Sequence, residues 1–172
     1  MRLICSIDNL KDKHSIVICD SNLSAKAHKD LFHFDEKLYF VSDSPEMIFE
    51  EILKTIEVCN SLSKNYLSKI HLVCNWINLF HIALWSIQRP FIQDVFTLLR
   101  DLGLGLKELQ LFKDSDINDI FPYLYYGKRF DILKKLCHRA KKQTENHFKD
   151  PFVRVDCHLT AEDTKMIVAS SL

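Results

Sequence analysis

The run Ile70-His71-Leu72-Val73-Cys74, with the long apolar stretch behind it, constrains the fold of this chain more than any other feature. Trp76, Ile77, Leu79, Phe80, Ile82, Ala83, Leu84, Trp85 and Ile87 are too uniformly apolar for a surface helix, so the strand leads into a buried one. Helical periodicity extends to Asp101, with a break expected at Pro90, whose ring removes an amide donor and pushes the preceding residue out of helical geometry. The second segment puts Phe91, Val95, Leu98, Leu99 and Leu102 on one side, and Gly103 and Gly105 end it. Leu106-Lys107-Glu108-Leu109-Gln110-Leu111-Phe112 alternates and reads as a strand near a sheet edge. Residues 70–112 thus read as a central βαβ unit, and an α/β domain follows.

The remaining segments fit that class. Residues 3–7 and 15–19 read as a hairpin or a pair of neighbouring strands joined by a polar connector, and residues 25–31 as a helical turn after the turn-rich Asp20-Ser21-Asn22-Leu23-Ser24. Leu38-Tyr39-Phe40-Val41 reads as a strand, and Ser44-Pro45-Glu46 as a helix start leading into Met47, Ile48, Ile52, Leu53, Ile56 and Cys59. Asp116 caps an expected short helix closed by Pro122, with Tyr123-Leu124-Tyr125-Tyr126-Gly127 as an aromatic loop. A helix over 128–147, a strand over 152–157 and a helix over 160–169, capped by Thr160 with Asp163 three residues on, complete the chain. The expectation is one domain over 1–172, a mixed sheet of about five to six strands with helices packed on it.

Composition narrows the function. Lysine plus arginine and aspartate plus glutamate both number 23, so no net field draws the chain to nucleic acid or anionic lipid. No apolar run approaches the roughly 18 residues of a membrane span, and residues 1–8 turn polar too soon for a secretory segment, so a cytoplasmic location is expected. Six cysteines stand without metal-knuckle spacing and read as reduced core thiols. With three glycines, neither a dinucleotide fingerprint nor a Walker loop can be written, and no cofactor is expected.

Four groups of residues carry chemistry. Lys134, Lys135, Arg139 and Lys142 share one helical face just after Tyr123, Tyr125 and Tyr126, a combination that suits a protein partner, a phosphate or a single-stranded nucleic acid. Asp8, Asp20 and Asp43 follow N-terminal strands and Asp114 follows the run 106–112; strand carboxyl ends line ligand crevices in open α/β sheets. The histidines, among them His28, His33, His71, His81, His138, His147 and His158, lack ligand spacing, so they read as scattered and no metal site is expected. Cys157 and His158 adjoin on a strand and therefore point to opposite faces, which speaks against a nucleophile and base pair there.

The order Lys69-Ile70-His71-Leu72, long helix, Leu109-Gln110-Leu111-Phe112 and acidic turn is similar to the first nucleotide-fold half of bacterial sialyltransferases. That family's strand leads into an Asp-Asp-Gly turn; Lys113-Asp114-Ser115 stands here, and the chain has no His-Pro pair, so no catalytic residue is carried over. Missing catalytic motifs, charge-segregated helices and abundant aromatics favour a small binding or inhibitor protein, such as a toxin-neutralising immunity protein, acting on another protein. The alternative is a nucleotide- or nucleic-acid-binding enzyme that uses the strand-end aspartates and the basic helix.

Overall fold

The computed structural model describes residues 15–61 and 67–172. The expected strand over 3–7, Cys5 and Asp8 lie outside the described residues. Five strands form a single sheet in the order β2-β1-β3-β4-β5. These are β1 (Ser15–Cys19), β2 (Tyr39–Val41), β3 (Lys69–Cys74), β4 (Arg154–Ala161) and β5 (Met166–Ser170). β2, β1, β3 and β4 are mutually parallel, and β5 runs antiparallel to β4. The helices are α1 (Asn22–Phe32), α2 (Ile48–Ser61), α3 (Trp76–Leu84), α4 (Ile92–Asp101), α5 (Leu106–Gln110), α6 (Ile117–Tyr126) and α7 (Phe130–Glu145). The α/β class and the mixed sheet hold.

Strand alternation divides the sheet into two unlike faces. Ile16, Ile18, Ile70, Leu72, Cys74, Val155, Cys157 and Leu159 enter the main core, packed with Ile48 and Ile52 of α2, Leu79 and Phe80 of α3, and Leu133, Leu136 and Cys137 of α7. The opposite face carries Val17, Cys19 and Val73, which pack with Ala25 of α1. The same parity puts His71, Asp156, His158 and Thr160 there, so this face is polar toward β4. α1 is held by an N-cap, Ser21 accepting from the Ser24 amide at 3.2 Å, and ends at His33 in the left-handed region.

Three expected elements are corrected. Residues 106–110 are helix α5, not a strand, so the unit over 70–112 lacks its second strand, and the next strand in the chain, which pairs with β3 in parallel, is β4. The buried side chains there are Leu109 and Phe112, three apart as on a helix, while Leu106 and Leu111 face solvent. The Glu108 carboxylate reaches back to the Gly105 amide at 2.9 Å and stabilises the first turn. Lys113-Asp114-Ser115 therefore follows a helix, which removes the strand on which the sialyltransferase resemblance rests.

The second correction is α6, which continues through Pro122 and takes in Tyr123, Tyr125 and Tyr126. Proline has no amide to give, so the Asn118 carbonyl loses its helical i+4 donor. Third, the expected helix over 160–169 is the end of β4, a turn and β5. Lys165 adopts φ 53° and its amide closes the turn onto the Ala161 carbonyl at 2.9 Å. Thr160 and Asp163 have the residue types of a helix cap, but Thr160 is a strand residue whose hydroxyl points into the polar face.

Candidate functional site

β1 and β3 are parallel neighbours whose following connections leave in opposite directions along the sheet, and Asp20 stands at the end of β1. Its carboxylate is buried and accepts four hydrogen bonds, from the hydroxyls of Ser24 at 2.6 Å and Ser21 at 3.0 Å, the Asn75 amide at 2.7 Å and the Asn78 side chain at 3.0 Å. Ser24 gives its one hydroxyl proton to Asp20, so the Thr160 hydroxyl donates to Ser24 across 2.9 Å. Asp20 thus ties β1, α1, β3 and α3 together, and through Ser24 also β4. Its lone pairs are committed to this network.

Beside this tie a crevice of about 660 Å³ opens at the carboxyl ends of β3 and β4. Trp76, Ile77 and Phe121 supply apolar wall, and Asn75, Thr160, His81 and Arg89 bring polar groups to it. The Trp76 indole is fixed by donating to the Ile117 carbonyl at 2.9 Å. Arg89 pairs with Asp116 at 3.0 Å, and both side chains are exposed, so the guanidinium is weakly committed. Asn118 and Pro122 also line the crevice.

Along the polar face, below Thr160, three histidines meet. His28 Nε2 of α1 lies 3.2 Å from His71 Nδ1 of β3, and His71 Nδ1 lies 3.0 Å from His158 Nε2 of β4. All three are buried, and their ligand-capable nitrogens lie within 4.8 Å of one another. The outer nitrogens of two are anchored, His28 Nδ1 to the Tyr39 hydroxyl at 2.8 Å and His158 Nδ1 to the Ser170 hydroxyl at 2.8 Å. His71 Nε2 has no partner. Phe32 and Phe34 close the cluster with ring centroids 5.1 Å from His158 and His71 respectively.

Burial pushes the imidazoles down, with repulsion from neighbours adding to it: His28 to about 3, His71 to about 4 and His158 to about 3. All three are neutral at pH 7. Asp156 sits near them; burial pushes its carboxyl up, but Lys69 at 2.7 Å and Lys141 at 3.1 Å outweigh that and leave it below the ordinary value. Among the described residues this histidine set is the one group of three able to hold a metal ion.

The residues singled out from the sequence are spread over the molecule. Lys134, Lys135, Arg139 and Lys142 are exposed on the outer side of α7, with Lys135 bonded to the Leu102 carbonyl at 2.9 Å. Tyr123 donates to Glu108 at 3.4 Å, Tyr125 stacks on Phe121 and Tyr126 is exposed. Asp43 and Asp114 are exposed and do not line the crevice. Cys157 lies in the core and His158 on the other face, as strand parity requires. The crevice residues Arg89 and Asn118 were not singled out, Thr160 was read only as a helix cap, and the meeting of His28, His71 and His158 was missed; a polar His71 inside a buried strand was the available signal.

No protein-family model, curated protein or solved structure matches this chain.

Proposed function

We propose that this protein binds a small polar ligand with a flat ring, of the nucleotide class, in the crevice at the carboxyl ends of β3 and β4. The observation that carries the reading is the position of the crevice, beside the β1/β3 reversal of a parallel sheet, where open α/β folds take their ligands. Its volume falls in the ordinary range for such sites, about 300–1,000 Å³. Trp76 and Phe121 offer apolar contact to a ring, Asn75 and Asn118 bring polar groups to its edge, and Arg89 turns from Asp116 toward an anionic group. Binding is the reading, not catalysis: Asp20 is fully engaged by its own network. Five buried free thiols support a reducing, cytoplasmic setting, and no helix among the described residues is long and apolar enough to cross a membrane.

Thermal melting with nucleosides and nucleoside mono-, di- and triphosphates tests this. A concentration-dependent rise that Arg89→Ala reduces for the phosphorylated forms supports it. A melting temperature unmoved by the whole set at millimolar concentration removes it.

A second reading has its own observation. Lys134, Arg139 and Lys142 make no ion pair among the described residues, which leaves a basic ridge on the outer face of α7. Such a ridge suits an acidic partner protein, as in inhibitors of the toxin-neutralising kind, or a nucleic acid. Capture of a stoichiometric protein at moderate salt by the wild type, but not by a charge-reversed ridge, supports it; retention by both removes it.

A further inference from the structure

We propose that His28, His71 and His158 form a binding site for a divalent transition metal ion of the zinc type. The site lies in the interior between α1 and the polar face of the sheet, and it is independent of the ligand argued for the crevice.

Proton accounting supplies the first reason. A ring nitrogen offers either one N–H or one lone pair in the ring plane. His71 Nδ1 nevertheless stands within hydrogen-bond distance of two nitrogens, at 3.2 Å from His28 Nε2 and 3.0 Å from His158 Nε2. Hydrogen bonding can serve one of these contacts well and leaves the other pair opposed, while the buried Nε2 of His71 has no partner at all. An ion among the three inner nitrogens accepts all three lone pairs at once.

The distances suit that role. Zinc–nitrogen bonds of about 2.0–2.1 Å at tetrahedral angles place ligand nitrogens about 3.3 Å apart. Two sides of the nitrogen triangle are already at 3.2 Å and 3.0 Å, and the third is within 4.8 Å. A small rotation of His28 or His158 about its outer hydrogen bond closes it.

The outer hydrogen bonds have the pattern that metal-binding histidines need. The Tyr39 and Ser170 hydroxyls can accept the Nδ1–H of His28 and His158, which fixes the tautomers whose Nε2 lone pairs face inward. With those two tautomers the proton of the inner contacts sits on His71 Nδ1, and metal binding moves it to His71 Nε2, the nitrogen that has no other partner. Three neutral ligands leave the ion's charge uncompensated; the field of the Asp156 carboxylate reaches both His71 and His158, but Lys69, paired with that carboxylate, opposes it at both. Three imidazoles select zinc, cobalt, nickel or copper over magnesium or calcium, which prefer oxygen.

The test uses full-length protein without a histidine tag, stripped with a chelator and titrated with Co²⁺ and Zn²⁺ alone. The expected result is one equivalent bound, Co²⁺ ligand-field absorption of a low-coordinate site, and a melting temperature that climbs with metal concentration. Ser170→Ala weakens binding about tenfold by loosening His158, His71→Ala abolishes it, and His33→Ala leaves it unchanged. Absence of metal binding by the wild type at micromolar metal overturns the proposal, as does undiminished binding by a folded His71→Ala. Should His71→Ala fail to fold, ¹⁵N spectra of the wild-type imidazoles decide: zinc must shift His71 Nδ1 and Nε2 of His28 and His158. Shifts confined to His33, His81, His138 or His147 assign the metal to the surface and overturn it.

Discussion

Asp20 at the end of β1 and Asn78 in the first turn of α3 are joined by a buried hydrogen bond of 3.0 Å across a sequence separation of 58 residues. The same Asn78 amide donates to the Pro45 carbonyl at 2.9 Å, so the entry to α2 is drawn to the same point. One carboxylate thereby organises the strand ends that border the crevice.

Removing that carboxylate strands several buried donors. Hydrogen bonds to a charged acceptor are each worth about 1.5–3 kcal/mol, and losses within one network are not additive. Asp20→Ala is expected to lower unfolding stability by about 3 kcal/mol in urea denaturation. A variant as stable as wild type would show that Asp20 is a replaceable surface-type acid.

Much of this molecule was legible in its sequence, and the failures share one physical cause. Pro90, Ser44-Pro45 and the apolar run around Phe80 announce local structure that tertiary packing does not reverse. Residues 106–112 carry both a strand-like alternation and the helical pair Leu109 and Phe112, and only the surface they pack on chooses between them. Thr160 with Asp163 imitates a helix cap because capping chemistry and turn chemistry use the same side chains. The histidine cluster was beyond sequence spacing altogether: His28, His71 and His158 meet because β3 and β4 pair with Val73 opposite His158, and register is a three-dimensional fact.

Acid should act on the metal-free protein through that cluster. The three folded values, about 3, 4 and 3, lie below the ordinary 6.5. The unfolded chain therefore binds more protons between these limits, and stability rises with pH there. The stabilisation is complete above about pH 6.5 and is lost as pH falls toward 3. Urea midpoints of the chelator-treated protein at pH 7.5 and pH 5 should fall steeply for wild type and less for His71→Gln. Equal slopes would mean that His71 is already solvated.

The ridge of α7 should be neutral to folding. Lys134, Arg139 and Lys142 are exposed and unpaired among the described residues, so reversing all three to glutamate is expected to change stability by less than about 1 kcal/mol. Circular dichroism melting measures this. A large loss would place these side chains in packing contacts that their exposure does not suggest.

The thiols should be inert while the protein is folded. Cys19, Cys59, Cys74, Cys137 and Cys157 are free and buried, and burial pushes Cys59 up to about 11 and Cys137 up to about 12. Thiolate is the reactive form, so a Cys5→Ser variant should resist a disulfide reagent at pH 8 and release five equivalents of colour in denaturant. Prompt native reaction of even one would reveal local opening at that position.

Five helices intervene between β3 and β4, which nevertheless pair directly, Lys69 opposite Arg154. Closing so long an excursion adds little to the equilibrium cost, since each doubling of a loop costs only about 0.6 kcal/mol. Its weight falls on time. The helices α3 to α7 can form from local contacts, but the centre of the sheet has to wait for a distant segment to arrive. Folding of this chain should therefore be limited by the docking of β4, the strand that brings His158 to its two partners.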